Sequence, residues 1–342
     1  MTVNYRTPLL LLFSLFLIGF KIPALSQIKS VSPIVFKAPS NFRVVGYLLI
    51  GHIKNDTAKH FDLSRINYLN IFFDNLNSHQ KFYHVLHLES TIANAHKNHV
   101  LVLGTIGNQV DLSLLTDDKR KGFIDSLIES ADELHLDGID IDFEGSHIDG
   151  SYEAFVTDLS AALKPKNKLL TAAVATRESK QLSDKALSYF DFLNIMSYDN
   201  VLHYEVVLPL NATSILKIYK AGQHSSLGLA ISDLEFWTNI RGIAKEKLNL
   251  GLPFYGYAFV QGKRSKFTYQ SIINKHPGNE NNDTIKVTGG YVIYNGIQTI
   301  KKKTSLAMQY AGGVAVWELM EDATENKSLL SAIDQTANPD NH

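Results

Sequence analysis

The sequence predicts an α/β fold, a single (β/α)8 TIM barrel with a small insertion between strands 7 and 8. Three observations carry this: eight short β-branched and aromatic runs, helical periodicity in most of the gaps between them, and enough apolar residues for one large core. Of 342 residues, 45% are hydrophobic and 20% charged, which excludes a disordered or fibrous chain. Lys and Arg number 33 against 34 Asp and Glu, so no positive field exists to hold nucleic-acid phosphates. With no cysteine, disulfides, thiolate nucleophiles and cysteine-held metals are excluded as well.

Residues 1–26 read as a secretory signal peptide. Arg6 precedes an apolar run from Pro8 to Phe20, followed by Lys21, Pro23 and a small-residue site at Ala24, Leu25 and Ser26. The run is too short to span a bilayer comfortably, so cleavage before Gln27 is expected. That places the mature chain outside the cytoplasm, secreted or periplasmic in a bacterium, as a monomer free of the membrane. A polar lead covers 27–41, the barrel domain 42–335 and a C-terminal tail 336–342.

The strand-like runs are Arg43–Ile50, Ile66–Phe72, His99–Gly104, Asp137–Phe143, Leu169–Ala175, Phe192–Ser197, Lys247–Pro253 and Gly312–Trp317. Between them, Lys119–Leu134 carries Phe123, Leu127, Ile128 and Ala131 on one helical stripe, and Tyr152–Leu163 carries Phe155, Leu159 and Ala162. Nearly unbroken apolar strands need cover on both faces, and eight strand–helix units in about 300 residues match a closed parallel barrel. A doubly wound open sheet is the runner-up. Gly46 and Gly51 lack the spacing of a phosphate-binding loop, so no nucleotide cofactor is expected. The segment 262–291, with Pro277, Gly278 and the polar cluster Asn279–Asp283, reads as a loop-rich insertion. Only a low wall fits there, which with two tryptophans suggests a shallow cleft.

The sharpest chemical signal is Asp137-Gly138-Ile139-Asp140-Ile141-Asp142-Phe143-Glu144. Strand alternation puts Asp140, Asp142 and Glu144 on one face and Ile139, Ile141 and Phe143 on the other. Three carboxylates in a row are costly inside a barrel unless they share protons, because like charges at low dielectric disfavour each other's ionisation. At the C-terminal end of a barrel strand, Glu144 could then serve as general acid, tuned by the other two. A solvated edge strand would show the same alternation. A hard-metal site is the other reading, but ligands on one straight strand fan out instead of converging. His79, His84, His87, His96 and His99 lie on one helix-like stretch and the next strand without a third convergent ligand, so no metal is predicted. Lys301, Lys302 and Lys303 read as the solvated face of the last helix.

The segment ending in Glu144 resembles the signature of family-18 glycoside hydrolases, Asp-Gly-x-Asp-x-Asp-x-Glu, and every defined position matches. Asn194 to Asp199 resembles the family's sixth-strand Met-x-Tyr-Asp, Leu250 to Gly256 its seventh-strand segment, and Gly312 to Glu318 its eighth. The resemblance covers Val44 to Asp322. It implies a chitinase-like hydrolase that cleaves β-1,4-linked N-acetylglucosamine with retention, the substrate's own acetamido oxygen acting as nucleophile. Glu144 would be acid and then base, Asp142 would hold the acetamido N–H, Asp140 would keep a proton available to Asp142, and Tyr198 would fix the acetamido oxygen.

By the same resemblance Trp317 would floor the subsite, with Asp199, Met196, Tyr255, Tyr47 and Phe72 around the sugar. Trp237 is expected to pack a helix. Two departures stand out: the third strand reads Thr105-Ile106-Gly107-Asn108 where Ser-x-Gly-Gly is frequent, and Tyr257 stands where Arg is frequent. The implied partner is an N-acetylglucosamine-containing oligo- or polysaccharide, with no cofactor. The alternatives are an endo-β-N-acetylglucosaminidase acting on N-glycans and a catalytically silent glycan lectin on the same barrel.

Overall fold

The computed structural model describes residues 41–54, 61–200, 203–211 and 214–341. The expected signal peptide and all but the last residue of the polar lead lie outside them. The strands in chain order are β1 (Arg43–Leu49), β2 (Tyr68–Phe72), β3 (Leu101–Gly107), β4 (Gly138–Asp142), β5 (Leu169–Val174) and β6 (Phe192–Ile195). Next come a hairpin, β7 (His203–Asn211) and β8 (Ser214–Ala221), and then β9 (Leu248–Pro253). An inserted sheet follows: β10 (Tyr255–Val260), β11 (Lys263–Thr268), β12 (Thr284–Val287) and β13 (Gly290–Ile293). The last strand is β14 (Gly313–Trp317). Strands β1 to β6, β9 and β14 close a parallel barrel in the order β1-β14-β9-β6-β5-β4-β3-β2. All eight arise from the eight apolar runs.

The helices are α1 (Leu88–Lys97), α2 (Arg120–Glu133), α3 (Tyr152–Leu163), α4 (Asp184–Tyr189), α5 (Leu227–Glu235), α6 (Tyr269–Lys275), α7 (Ile297–Tyr310) and α8 (Leu329–Ala337). Each barrel helix buries one stripe against the strands; α2 does so with Phe123, Ile124, Leu127, Ile128 and Ala131. Starts are fixed by side-chain caps, as where Ser183, Ser226 and Ser328 accept from Ala186 N, Leu229 N and Ser331 N. Full burial of a side chain such as Phe155 contributes about 1.5–3 kcal/mol over leaving it in water. No helix among the described residues is long and apolar enough to cross a membrane.

Four sequence expectations need correction. The insertion is not loop-rich and begins at Tyr255: β10 to β13 form a four-stranded antiparallel sheet, order β11-β10-β13-β12, with α6 against it. Gln261 and Gly262, both at positive φ (51° and 75°), make the two-residue turn that lets Val260 pair with Lys263. The wall is therefore an ordered sheet, and the case for a shallow cleft falls. Lys303 is not solvated: it is wholly buried on the inner face of α7. The histidine stretch is mostly irregular, since α1 starts only at Leu88; His84 approaches Glu89 (3.5 Å) and His96 bonds Asp137 (2.9 Å). The barrel's last helix, α8, runs to Ala337, so the tail begins two residues later than expected.

The wall joins the barrel almost without a linker. Phe254 is the one residue between β9 and β10; it is fully buried, its N–H donates to Trp317 O, and its carbonyl accepts from Tyr269 N, both at 2.8 Å.

Candidate active site

The barrel interior is unlike the apolar shell around it. A small cluster of Val45, Tyr47, Ala173, Phe192 and Ala315 shares it with Asn70, Thr105, Asp140, Thr171, Asn194 and Asn249, all buried. Asn249, Asn194, Tyr47 and Asp140 form a chain that starts at Arg43. Arg43 Nε donates to Asn249 Oδ1 (2.9 Å), Asn249 Nδ2 to Asn194 Oδ1 (2.8 Å), Asn194 Nδ2 to Tyr47 Oη (2.8 Å), and Tyr47 Oη to Asp140 Oδ2 (2.8 Å). Arginine has no acceptor, so it dictates which amide atom each asparagine turns toward it, and every donor in the chain points at Asp140.

Asp140 sits in register between Thr105 of β3 and Thr171 of β5, and both hydroxyls donate to its carboxylate. Burial pushes its proton affinity up, and the hydroxyl bonds from Thr171, Tyr47 and Thr105 hold it part-way down. Asp142 lies one step higher. Burial, followed by the charges of Glu144 and Asp140, drives its carboxyl well above the usual range. Its buried Oδ1 has no hydrogen-bond partner among the described residues.

Glu144 follows the end of β4 but keeps extended backbone (φ −128°, ψ 152°), so the alternation holds and all three acids line one face. Two residues to which the sequence analysis gave no site role hold it. Asn108 clamps its main chain, accepting from Glu144 N (2.9 Å) and donating to Glu144 O (3.1 Å). Arg177, just beyond β5, donates from Nη2 to Glu144 Oε2. The sequence argument, which placed only acids beside Glu144, missed this cation.

The other side of the pocket comes from the segment after β6 and from β10, β11 and β14. Tyr198 faces Tyr255 edge-on, with ring centroids 6.1 Å apart. Burial first, then the charge of Asp142, keeps the Tyr198 hydroxyl protonated. Asp199, at φ 59°, accepts from Tyr255 Oη (2.6 Å) and Tyr257 Oη (2.8 Å), with buried His224 Nδ1 at 3.7 Å. Burial raises the Asp199 carboxyl, but the nearby His224 and the hydroxyl bonds from Tyr255 and Tyr257 outweigh it and bring it to about 2. Tyr257 thus holds Asp199, and Arg264 from β11 stacks over its ring at 5.1 Å.

Trp317 lies 5.5 Å from the Tyr47 ring and 5.6 Å from Phe72, and Met196 packs in the same interior cluster. Asp142, Glu144, Tyr198, Asp199, Met196, Tyr255 and Trp317 line one pocket of about 150 Å3 with Arg177 and Lys266. Asp140 and Tyr47 lie beneath it, and Phe72 stands behind Trp317. A larger hollow of about 500 Å3 on the far face of the inserted sheet has no acid in its lining.

Residues 43–322 match the family model of glycosyl hydrolases family 18. The chain belongs to that family. This family-18 hydrolase superposes on a chitinase from the chitin utilization locus of Flavobacterium johnsoniae with a TM-score of 0.74. The two are 30% identical, over 89% of this chain and 94% of that one. It is 35% identical over 155 residues to a probable endochitinase of Caenorhabditis elegans, and 25% identical over 210 residues to probable chitinase 10 of Drosophila melanogaster. It spans 24% and 9% of the lengths of those two proteins.

Sequence reasoning missed Arg177, Asn108 and the chain from Arg43 to Tyr47 in this family-18 site. A signal existed for Arg177 and for the chain. Asn194 and Asn249 are polar residues at inward positions of otherwise apolar strands, and Arg177 follows a strand end at the face where barrels keep their chemistry. Trp237 is buried as expected, with one addition: its Nε1 donates to Thr176 Oγ1 (3.0 Å), beside Arg177.

Proposed function

We propose that the protein is an exported chitinase-like enzyme hydrolysing β-1,4 bonds between N-acetylglucosamine units with retention and substrate assistance. The observation that carries this reading is the buried Oδ1 of Asp142, without a hydrogen-bond partner among the described residues, beside Glu144 and Tyr198. A buried acceptor left without a donor is costly, and a 2-acetamido N–H from the sugar supplies the missing bond. Glu144 gives its proton to the leaving oxygen while the acetamido oxygen closes on the anomeric carbon. Water then opens the oxazolinium ring as Glu144 takes a proton back. Asp142 stabilises the cationic ring, Asp140 and its hydroxyl partners fix Asp142 from below, and Tyr198 orients the acetamido oxygen. Trp317 provides the apolar floor under the sugar. Export rests on the composition of residues 1–26.

The test is to incubate the mature protein separately with chitin oligomers and an N-glycosylated protein and identify products by mass. Cleavage of the oligomers with an intact glycoprotein supports the chitinase reading. The reverse pattern selects the N-glycan activity, and binding without cleavage selects the lectin. Glu144→Gln keeps the shape and removes the proton donor, so oligomer binding persists and turnover falls by at least about 100-fold. Residual turnover above a few per cent refutes the role of Glu144.

A further inference from the structure

Glu144 and Arg177 differ from an ordinary surface ion pair because both backbones are fixed. Asn108 holds the Glu144 peptide from β3's end by two bonds. On the Arg177 side, the preceding residue, Thr176, accepts from buried Trp237, and the following residue, Glu178, accepts from Gly145 N at 3.1 Å. The turn that carries the cation is thus tied to the helical layer on one flank and to the residue after Glu144 on the other. The charged and titratable groups facing Glu144 are Asp142 from β4, Glu178 and Arg177 from the turn after β5, and Tyr198 from the end of β6. Asp199 and Lys266 stand across the pocket. Of these, Arg177 alone donates a hydrogen bond to the Glu144 carboxylate.

Resting on the reading of Glu144 as acid and base, we propose that Arg177 is a positioning residue for it. Arg177 holds the Glu144 carboxylate at the cleft wall in the free enzyme, where two further acids, Asp142 and Glu178, stand near it. The guanidinium offsets their like charge and keeps the Glu144 side chain from turning away from them, so one carboxyl faces the leaving oxygen in the first half of the cycle and the attacking water in the second.

A carboxyl freed from its donor can turn away from the reacting atoms while the sugar subsites stay intact. In Arg177→Met, kcat on chitin oligomers should therefore fall by about 10-fold with KM changed by less than about 2-fold. Arg177→Lys, which keeps the charge and a donor, should restore most of kcat, which a merely structural role would not produce. If Arg177→Met does not fold, Arg177→Gln takes its place.

A folded methionine variant whose kcat stays within about 2-fold of the wild type overturns the inference, as does a lysine variant that behaves like methionine. Turnover by the wild type with kcat unmoved in the variant refutes Arg177 alone. No turnover by the wild type refutes the reading of function and this inference with it.

Discussion

Replacing Tyr47 with phenylalanine removes a single oxygen from the middle of the barrel, and the structure sets the cost. That hydroxyl accepts from Asn194 Nδ2 and donates to Asp140 Oδ2, each at 2.8 Å. Its loss strands a buried N–H, at about 1–3 kcal/mol, and takes one of three hydroxyl donors from a buried carboxylate, a bond worth about 1.5–3 kcal/mol. The ring stays and gains some apolar contact, so the net expectation is about 2–4 kcal/mol of lost stability, or roughly 3–6 °C in Tm for a domain of this size.

The deficit should also depend on pH. Asp140 already holds its proton more tightly than a free aspartate, and losing a donor tightens that further. A folded-state affinity raised in this way favours the fold at low pH and loses that benefit as pH rises, so the deficit is smaller at pH 5 than at pH 8. Urea unfolding of the wild type and Tyr47→Phe at both pH values is the assay. A double-mutant cycle with Thr105→Val, which removes the other donor to Oδ2, should show coupling above about 0.5 kcal/mol. A loss below about 1 kcal/mol at both pH values refutes a continuous chain through the barrel.

Asn108→Ala releases two bonds on the Glu144 main chain, together worth about 1–2 kcal/mol, so kcat on chitin oligomers should drop about 5- to 30-fold with KM little changed. A change confined to KM refutes the clamp. Lys303 is wholly buried, donating to Ser225 O, Ser225 Oγ and Asn295 Oδ1, and burial brings its ammonium down to about 7. Between that value and the ordinary 10.5 the unfolded chain binds the extra proton, so stability rises with pH at about 1.4 kcal/mol per unit. Below about 7 both states carry the proton and the slope vanishes. Lys303→Met should flatten the rise from pH 7.5 to 9, read by urea unfolding, whatever its absolute stability; an unchanged slope refutes the assignment.

The barrel was legible because its determinants are local: apolar runs of strand length alternate with stripes of helical period, and each survives as a strand or helix. The acid ladder was legible for the same reason, since alternation along β4 needs only the sequence of β4. What stayed hidden depends on contacts between distant segments. Nothing near Lys303 announces that Ser225 and Asn295 will surround its ammonium, 78 and 8 residues away. Arg177 meets Glu144 from 33 residues away, and Asn108 from 36. The inserted sheet was misread for another reason: exposed, charged β11 has no apolar alternation, and its register comes from the tight turn at Gln261 and Gly262.

Phe254 has a kinetic consequence. A wall that swings needs a few residues able to absorb a change of backbone angle, and here the single residue between β9 and β10 is buried and bonded through both its N–H and its carbonyl. The sheet bearing Tyr255 and Tyr257 therefore moves only with the barrel strand that precedes it. A ligand entering the pocket beside that sheet meets a wall already in place.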